Sequence, residues 1–120
     1  MFAIYHIIWI PKYRKHILKN KISDQLKILL FEKATQIDIK IKAYEIMDNH
    51  IHLFIKGDTT MAISKIIQFL RGYISFMLRK SFPFLKKWKS LWTHSYFCET
   101  IRFISESTVI KYIATQRNNI

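Results

Sequence analysis

The spacing of apolar residues along this chain switches several times between a period of two and a period near 3.6, which restricts the fold to strands interleaved with helices. Residues 3–10 read as a strand that ends at Pro11, a residue with no N–H for a ladder. Ser23 is placed to cap a helix, with Asp24 in its first turn and Leu26, Leu29, Leu30 and Ala34 along one face. Ile37, Ile39, Ile41 and Ala43 then alternate with Asp38, Lys40 and Lys42, the pattern of a strand with one buried face. Asp48-Asn49 make a turn, and residues 50–55 return as its antiparallel partner. Beyond Gly57-Asp58-Thr59-Thr60, a long helix carries Ile63, Ile66, Ile67, Leu70, Ile74, Met77 and Leu78 on one face and stops before Pro83. A lysine-rich, aromatic loop over residues 81–90 leads to a strand over 91–101, and a last helix starts near Ser105. The order β-α-β-β-α-β-α makes an α+β fold, an antiparallel β-sheet with helices packed on it.

No repeat, low-complexity tract or flexible linker interrupts the 120 residues, so the expectation is one domain over 1–120. Half of the residues are hydrophobic, enough for a packed core. The lone cysteine, Cys98, can form neither an internal disulfide nor a zinc cluster, which points to a reducing, cytoplasmic setting. The apolar run over residues 2–10 is too short to span a bilayer, and its cations follow rather than precede it, so no membrane role is expected. With only Gly57 and Gly72, no glycine-rich phosphate loop can form, and no nucleotide cofactor is expected.

Charge narrows the partner. Lys and Arg number 20 against 8 Asp and Glu, a net +12, and the charge is segregated. No acid lies between Thr59 and Cys98, while Lys65, Arg71, Arg79, Lys80, Lys86, Lys87 and Lys89 do. Lys12, Arg14, Lys15, Lys19 and Lys21 all precede the first acid, Asp24. Such a field favours a polyanion, and the interleaved aromatics can stack on unpaired bases; a solvated basic face is the other reading. Lys12, Arg14, Lys15 and Arg71 are the candidates for contacts to a DNA backbone.

Two short patterns carry chemistry. In His50-Ile51-His52 a strand points both imidazoles to one side and Ile51 to the other, which is half a metal site or a pair of half-buried, hydrogen-bonded histidines. On the last helix Tyr112 and Gln116 lie four apart and share a face. A phenol can attack phosphorus and an amide oxygen can ligate a hard divalent ion, although a core tyrosine would show the same spacing.

Taken together and in order, these segments resemble the single-tyrosine HUH transposases, the IS200-like transposases that mobilise small bacterial and archaeal insertion sequences through single-stranded DNA. The resemblance runs over nearly the whole chain: residues 5–15 (YHIIWIPKYRK), 45–53 (EIMDNHIHL), 69–72 (FLRG), Leu91-Trp92, Tyr96-Phe97, and 105–113 (SESTVIKYI) followed by Gln116. It implies a ferredoxin/RRM-like HUH fold, with His50 and His52 as metal ligands, Gln116 as the third, and Tyr112 as the nucleophile. It implies Mg²⁺ or Mn²⁺ as cofactor, DNA hairpins near element ends as the recognised feature, and a homodimer whose tyrosine helix can complete the partner's site. The sequence departs from the family's habit in having Asp48-Asn49 where Pro-Asp is common, and Cys98, Glu99, Arg102 and Phe103 where small residues are usual. The competing functions are a non-catalytic single-stranded nucleic-acid binder and an HUH nickase of replication or plasmid transfer.

Overall fold

The computed structural model describes residues 1–105. Its elements are β1 (Phe2–Trp9), α1 (Asn20–Gln36), β2 (Lys40–Met47), β3 (His50–Asp58), α2 (Ile63–Ser81) and β4 (Phe97–Ile104), with short 3-10 turns at Lys12–Arg14 and Pro83–Lys87. The strands form one antiparallel sheet in the order β2-β3-β1-β4. The last helix expected from the sequence, with Tyr112 and Gln116, lies outside the described residues.

The two central strands alternate strictly. Ala3, Tyr5, Ile7 and Trp9 of β1 and Ile51, Leu53 and Ile55 of β3 are buried, while the residues between them are only half-covered. The buried set meets Leu26, Leu29, Leu30 and Ala34 of α1 and Ile66, Ile67, Leu70, Ile74 and Leu78 of α2. Each of the larger aliphatic side chains contributes about 1.5–3 kcal/mol of transfer free energy, so this single layer holds the fold. Gly57 lies where α2 crosses β3: a Cβ there would meet Ile66 Cδ1 at 3.3 Å and Ile39 Cγ2 at 3.5 Å. Among the described residues no helix is long and apolar enough to cross a membrane.

Three expectations are corrected. Ser23 is not the cap of α1, because its N–H bonds to the Lys19 carbonyl at 3.4 Å inside the helix, whose N-cap is Lys19. The added turn brings Ile22 into the core beside Leu18, whose N–H is held by the Asp48 carbonyl at 2.9 Å, and it puts Asp24 beyond the first turn. In β2 the register shifts between Ile41 and Ala43, so Ala43 pairs with Phe54 on the opposite face from Ile41 and is exposed. That bulge at Lys42 breaks the period of two. The third correction concerns β4, which starts at Phe97 rather than at 91. Leu91 and Trp92 are buried, but as a loop: Lys12 N–H bonds to Leu91 O at 2.8 Å, Thr93 N–H to Ile10 O at 3.1 Å, and Pro11 bridges to Trp92.

Candidate active site and nucleic-acid interface

Both helices cover the same face of the sheet, which leaves the other face free of regular structure among the described residues. The alternation that buries Ile51 and Leu53 therefore turns His50, His52 and Phe54 onto this uncovered face. The two imidazoles lie edge to face with ring centroids 5.0 Å apart, as the His-x-His spacing requires. Their Nδ1 atoms are both engaged: His50 Nδ1 lies 2.8 Å from Asn49 Oδ1, and His52 Nδ1 lies 3.4 Å from His6 Nε2. Neither Nε2 has a hydrogen-bond partner among the described residues. Burial, then the neighbouring His50 and His6, push the His52 pKa down, against a smaller upward pull from Glu45. The shift favours the neutral imidazole, the form that can ligate a metal.

Among the described residues, no group of three or more histidine, cysteine, aspartate or glutamate side chains is arranged to hold a metal ion. The pair alone is half a site, and the proposed third ligand Gln116 and nucleophile Tyr112 lie outside the described residues.

The sheet brings the basic segments to the same end as the histidines. Ile8 pairs with His52 and Trp9 with Ile51, so residues 12–15 emerge from β1 beside the His-x-His segment. The turn before β3 is tied to this segment by the Leu18–Asp48 backbone bond and by His16 Nδ1, 2.9 Å from Asp48 Oδ2. Tyr13 and Arg14 both have left-handed backbones, with φ of 59° and 52°, which non-glycine residues seldom adopt. Lys15 Nζ stands 5.1 Å from the Trp88 ring centroid and Lys87 Nζ 4.6 Å from it, so the basic segment after β1 and the lysine-rich loop after α2 meet around one indole. Lys12 Nζ lies 5.7 Å from the exposed Tyr13 ring.

Arg71 occupies a different setting from the other candidates. It is half-buried, and its guanidinium donates to the carbonyl oxygens of Thr93 and, at 3.3 Å, His94. It lines a cleft of about 380 Å³ with Gln68, Ser75, Trp92, His94 and Tyr96. Trp92 is fixed there too, its Nε1–H donating to Arg71 O at 2.9 Å and its ring set edge to face against Trp9.

Sequence reasoning read His6 as a partly buried or surface polar residue, with contact to phosphate as the alternative, and gave Glu99 no part in the site. His6 stacks on Phe54 with centroids 4.5 Å apart and planes 2° from parallel, and its Nδ1 lies 3.2 Å from Glu99 Oε1. A signal for His6 exists in the sequence, since it is the one polar residue on the outward set Phe2, Ile4, His6, Ile8. Glu99 is visible only once β4 is paired with β1 in the observed register.

Comparison with known proteins agrees with this architecture. The family model described as "Transposase IS200 like" matches residues 2–116. The ISDra2 transposase TnpA of Deinococcus radiodurans is 31% identical over 117 residues, covering 95% of this chain and 84% of that protein. The transposase for insertion sequence element IS200 of Salmonella typhimurium is 26% identical over 100 residues, covering 81% of this chain and 66% of that protein. Among solved structures, a transposase from Deinococcus radiodurans R1 superposes with a TM-score of 0.77 at 30% identity, covering 98% of this chain and 91% of that one. A REP-associated tyrosine transposase bound to a REP hairpin shares the fold at a TM-score of 0.59 and 12% identity, covering 94% of this chain and 68% of that one.

Proposed function

Because the chain belongs to the IS200-like transposase family, we propose that it cuts and rejoins single-stranded DNA at insertion-sequence ends through a covalent 5′-phosphotyrosine link. The observation that carries this reading is the His50–His52 pair on the uncovered sheet face, both imidazoles with Nδ1 engaged, beside the basic segment. In this reading residues 1–120 act as one domain in the cytoplasm, with no nucleotide cofactor.

The donor set fits a hard divalent ion, Mg²⁺ or Mn²⁺: two neutral imidazoles from β3 and the amide oxygen of Gln116 leave the ion most of its charge. When bound, such an ion supplies charge that polarises the scissile phosphate and stabilises the departing 3′-oxygen. The chain's own residues do the rest. Tyr112 attacks phosphorus through its phenolic oxygen, the bond from phosphorus to the 3′-oxygen breaks, and the 3′-oxygen leaves as a hydroxyl. The tyrosyl phosphodiester conserves the energy of the broken bond, so a second DNA 3′-hydroxyl can attack it and release Tyr112 without a nucleoside triphosphate. Lys12, Arg14 and Lys15 hold the strand's phosphates, and Trp88, between Lys15 and Lys87, offers a surface for an unpaired base.

Recognition of a DNA hairpin near each end fits the same basic surface. A homodimer is supported by β4, which among the described residues is an edge strand with Phe97, Ile101 and Phe103 exposed, because an apolar edge favours self-association.

The test is to incubate the protein with end-labelled single-stranded DNA from the gene's flanks, with Mn²⁺, Mg²⁺ or EDTA, beside Tyr112→Phe and His50→Ala. A protein–DNA band on a denaturing gel that requires metal, Tyr112 and His50 supports the proposal. Rejoining of two ends separates a transposase from a nickase of replication or transfer. Binding without any such band favours the non-catalytic binder.

A further inference from the structure

Among the polar side chains of the uncovered face that the catalytic reading leaves unused are His6 in β1 and Glu99 in β4. They pair directly across the two strands, and His6 also reaches the diagonal neighbour His52 in β3. A continuous chain results: Glu99 Oε1 is 3.2 Å from His6 Nδ1, and His6 Nε2 is 3.4 Å from His52 Nδ1. The parallel stack on Phe54, with Phe97 set edge-on at 5.6 Å, holds the His6 ring in the plane that serves both bonds.

The hydrogens in this chain are determined by what each atom can do. An ionised carboxylate only accepts, so His6 Nδ1 carries the hydrogen that faces Glu99. A neutral His6 then has a lone pair on Nε2, and the hydrogen between the two rings belongs to His52 Nδ1. His52 is left with a lone pair on Nε2. With His6 neutral, the opposite arrangement, His6 donating from Nε2, would set the Nδ1 lone pair against the carboxylate and put a hydrogen on His52 Nε2, where no metal could be ligated. His50 reaches the same state independently, by donating Nδ1–H to Asn49 Oδ1.

We propose that Glu99, acting through His6, fixes His52 in its Nδ1–H form and so presents the Nε2 lone pair to a divalent ion. Both are positioning residues, and the inference rests on the metal-ligand reading of His50 and His52 above. Partners of this kind commonly change metal affinity 10–100-fold when removed.

The experiment reads the tautomer directly. The full-length ¹⁵N-labelled chain, without metal and at pH 8, is examined by long-range ¹H–¹⁵N correlation of its imidazoles, with His52→Asn to assign the His52 signals. Glu99→Gln keeps the shape but can donate as well as accept, and His6→Phe keeps a ring on Phe54 but removes the acceptor. The expected result is an Nδ1–H His52 in the wild type, a shift toward Nε2–H in both variants, and Mn²⁺ binding weakened about 10-fold in both. An Nε2–H His52 in the wild type, or an unchanged tautomer in Glu99→Gln, overturns the proposal. A wild type with Nδ1–H His52 that shifts in Glu99→Gln but binds no Mn²⁺ upholds control of His52 by Glu99 and His6 and overturns the metal reading instead. Backbone amide spectra establish that the variants are folded; Glu99 is half-exposed on an edge strand, where the exchange is tolerated.

Discussion

Arg71 was a candidate DNA contact because of its charge, yet the structure gives its guanidinium a second occupation that a charge-conserving substitution can separate from the first. Its two terminal nitrogens donate to the Thr93 and His94 carbonyls, which ties α2 to the loop leading into β4. Burial pushes its pKa below the ordinary arginine value, the mark of a guanidinium partly stripped of water. Hydrogen bonds from a charged donor contribute about 1.5–3 kcal/mol, and here one is long and exposed, so loss of both should cost about 2 kcal/mol. At about 4 °C per kcal/mol for a chain of this size, that is a fall of about 8 °C in Tm. Arg71→Lys keeps the charge but has no planar fork to span two carbonyls, so it should lose nearly as much stability as Arg71→Ala. Thermal melts of both variants, with DNA affinity measured by fluorescence anisotropy well below either midpoint, separate the roles. If Arg71→Lys melts with the wild type while Arg71→Ala alone loses affinity, the anchoring argument is wrong and the residue acts as a charge.

Trp92→Phe should keep the edge-to-face contact with Trp9 but lose the bond to Arg71 O, at a cost of about 1 kcal/mol in chemical denaturation. Leu53→Ala, on the covered face, should cost about 2–5 kcal/mol, whereas His50→Ala one strand turn away should cost less than about 1 kcal/mol and still abolish metal-dependent capture of DNA. The Thr60 backbone N–H, 3.0 Å from Asp58 Oδ1, holds that carboxyl below its ordinary pKa of 3.8. Since the folded form binds the proton less tightly, the stabilisation is full above about pH 4 and is lost as pH falls through the lower folded value. The stability difference between wild type and Asp58→Asn should therefore shrink on acidification through that window. Burial and the neighbouring Glu99 push the Cys98 thiol up, so iodoacetamide should alkylate it more slowly at pH 8 than it alkylates a free cysteine, as mass spectrometry would record.

Among the described residues, period two and period 3.6 were enough to locate five of the six strands and α-helices, because each carries a continuous apolar set that has one place to go. What the alternation could not convey was its own interruption. The bulge at Lys42 changes the face of every later residue in β2, and the alternation Ile37, Ile39, Ile41, Ala43 marks neither that slip nor the start of β2 at Lys40, after Ile37 has capped α1. Leu91 and Trp92 look like strand residues because they are apolar and buried, yet Leu91 O accepts from Lys12 N–H and Trp92 bridges to Pro11 at the exit of β1, a long-range pairing with no local trace. The start of α1 failed for a related reason: Ser23 is a good cap in isolation, but burial of Leu18 and Ile22 outweighs the roughly 1 kcal/mol that a cap contributes.

The His-x-His pair was legible for the same reason the core was. A strand with Ile51 and Leu53 on its buried side must present His50 and His52 on the other, so the hydrophobic pattern that stabilises the sheet also aims the two imidazoles. The surroundings of the pair were not legible, since His6 and Glu99 stand 93 residues apart in sequence and meet only through the pairing of β4 with β1. Register is the quantity that connects them. A slip of one residue in β4 would turn Glu99 to the helix face and leave His6 without its acceptor, while changing none of the residues in the recognisable motifs. Sequence motifs therefore identify which side chains can do the chemistry, and the order and register of the sheet decide the hydrogen-bonding state in which they are presented.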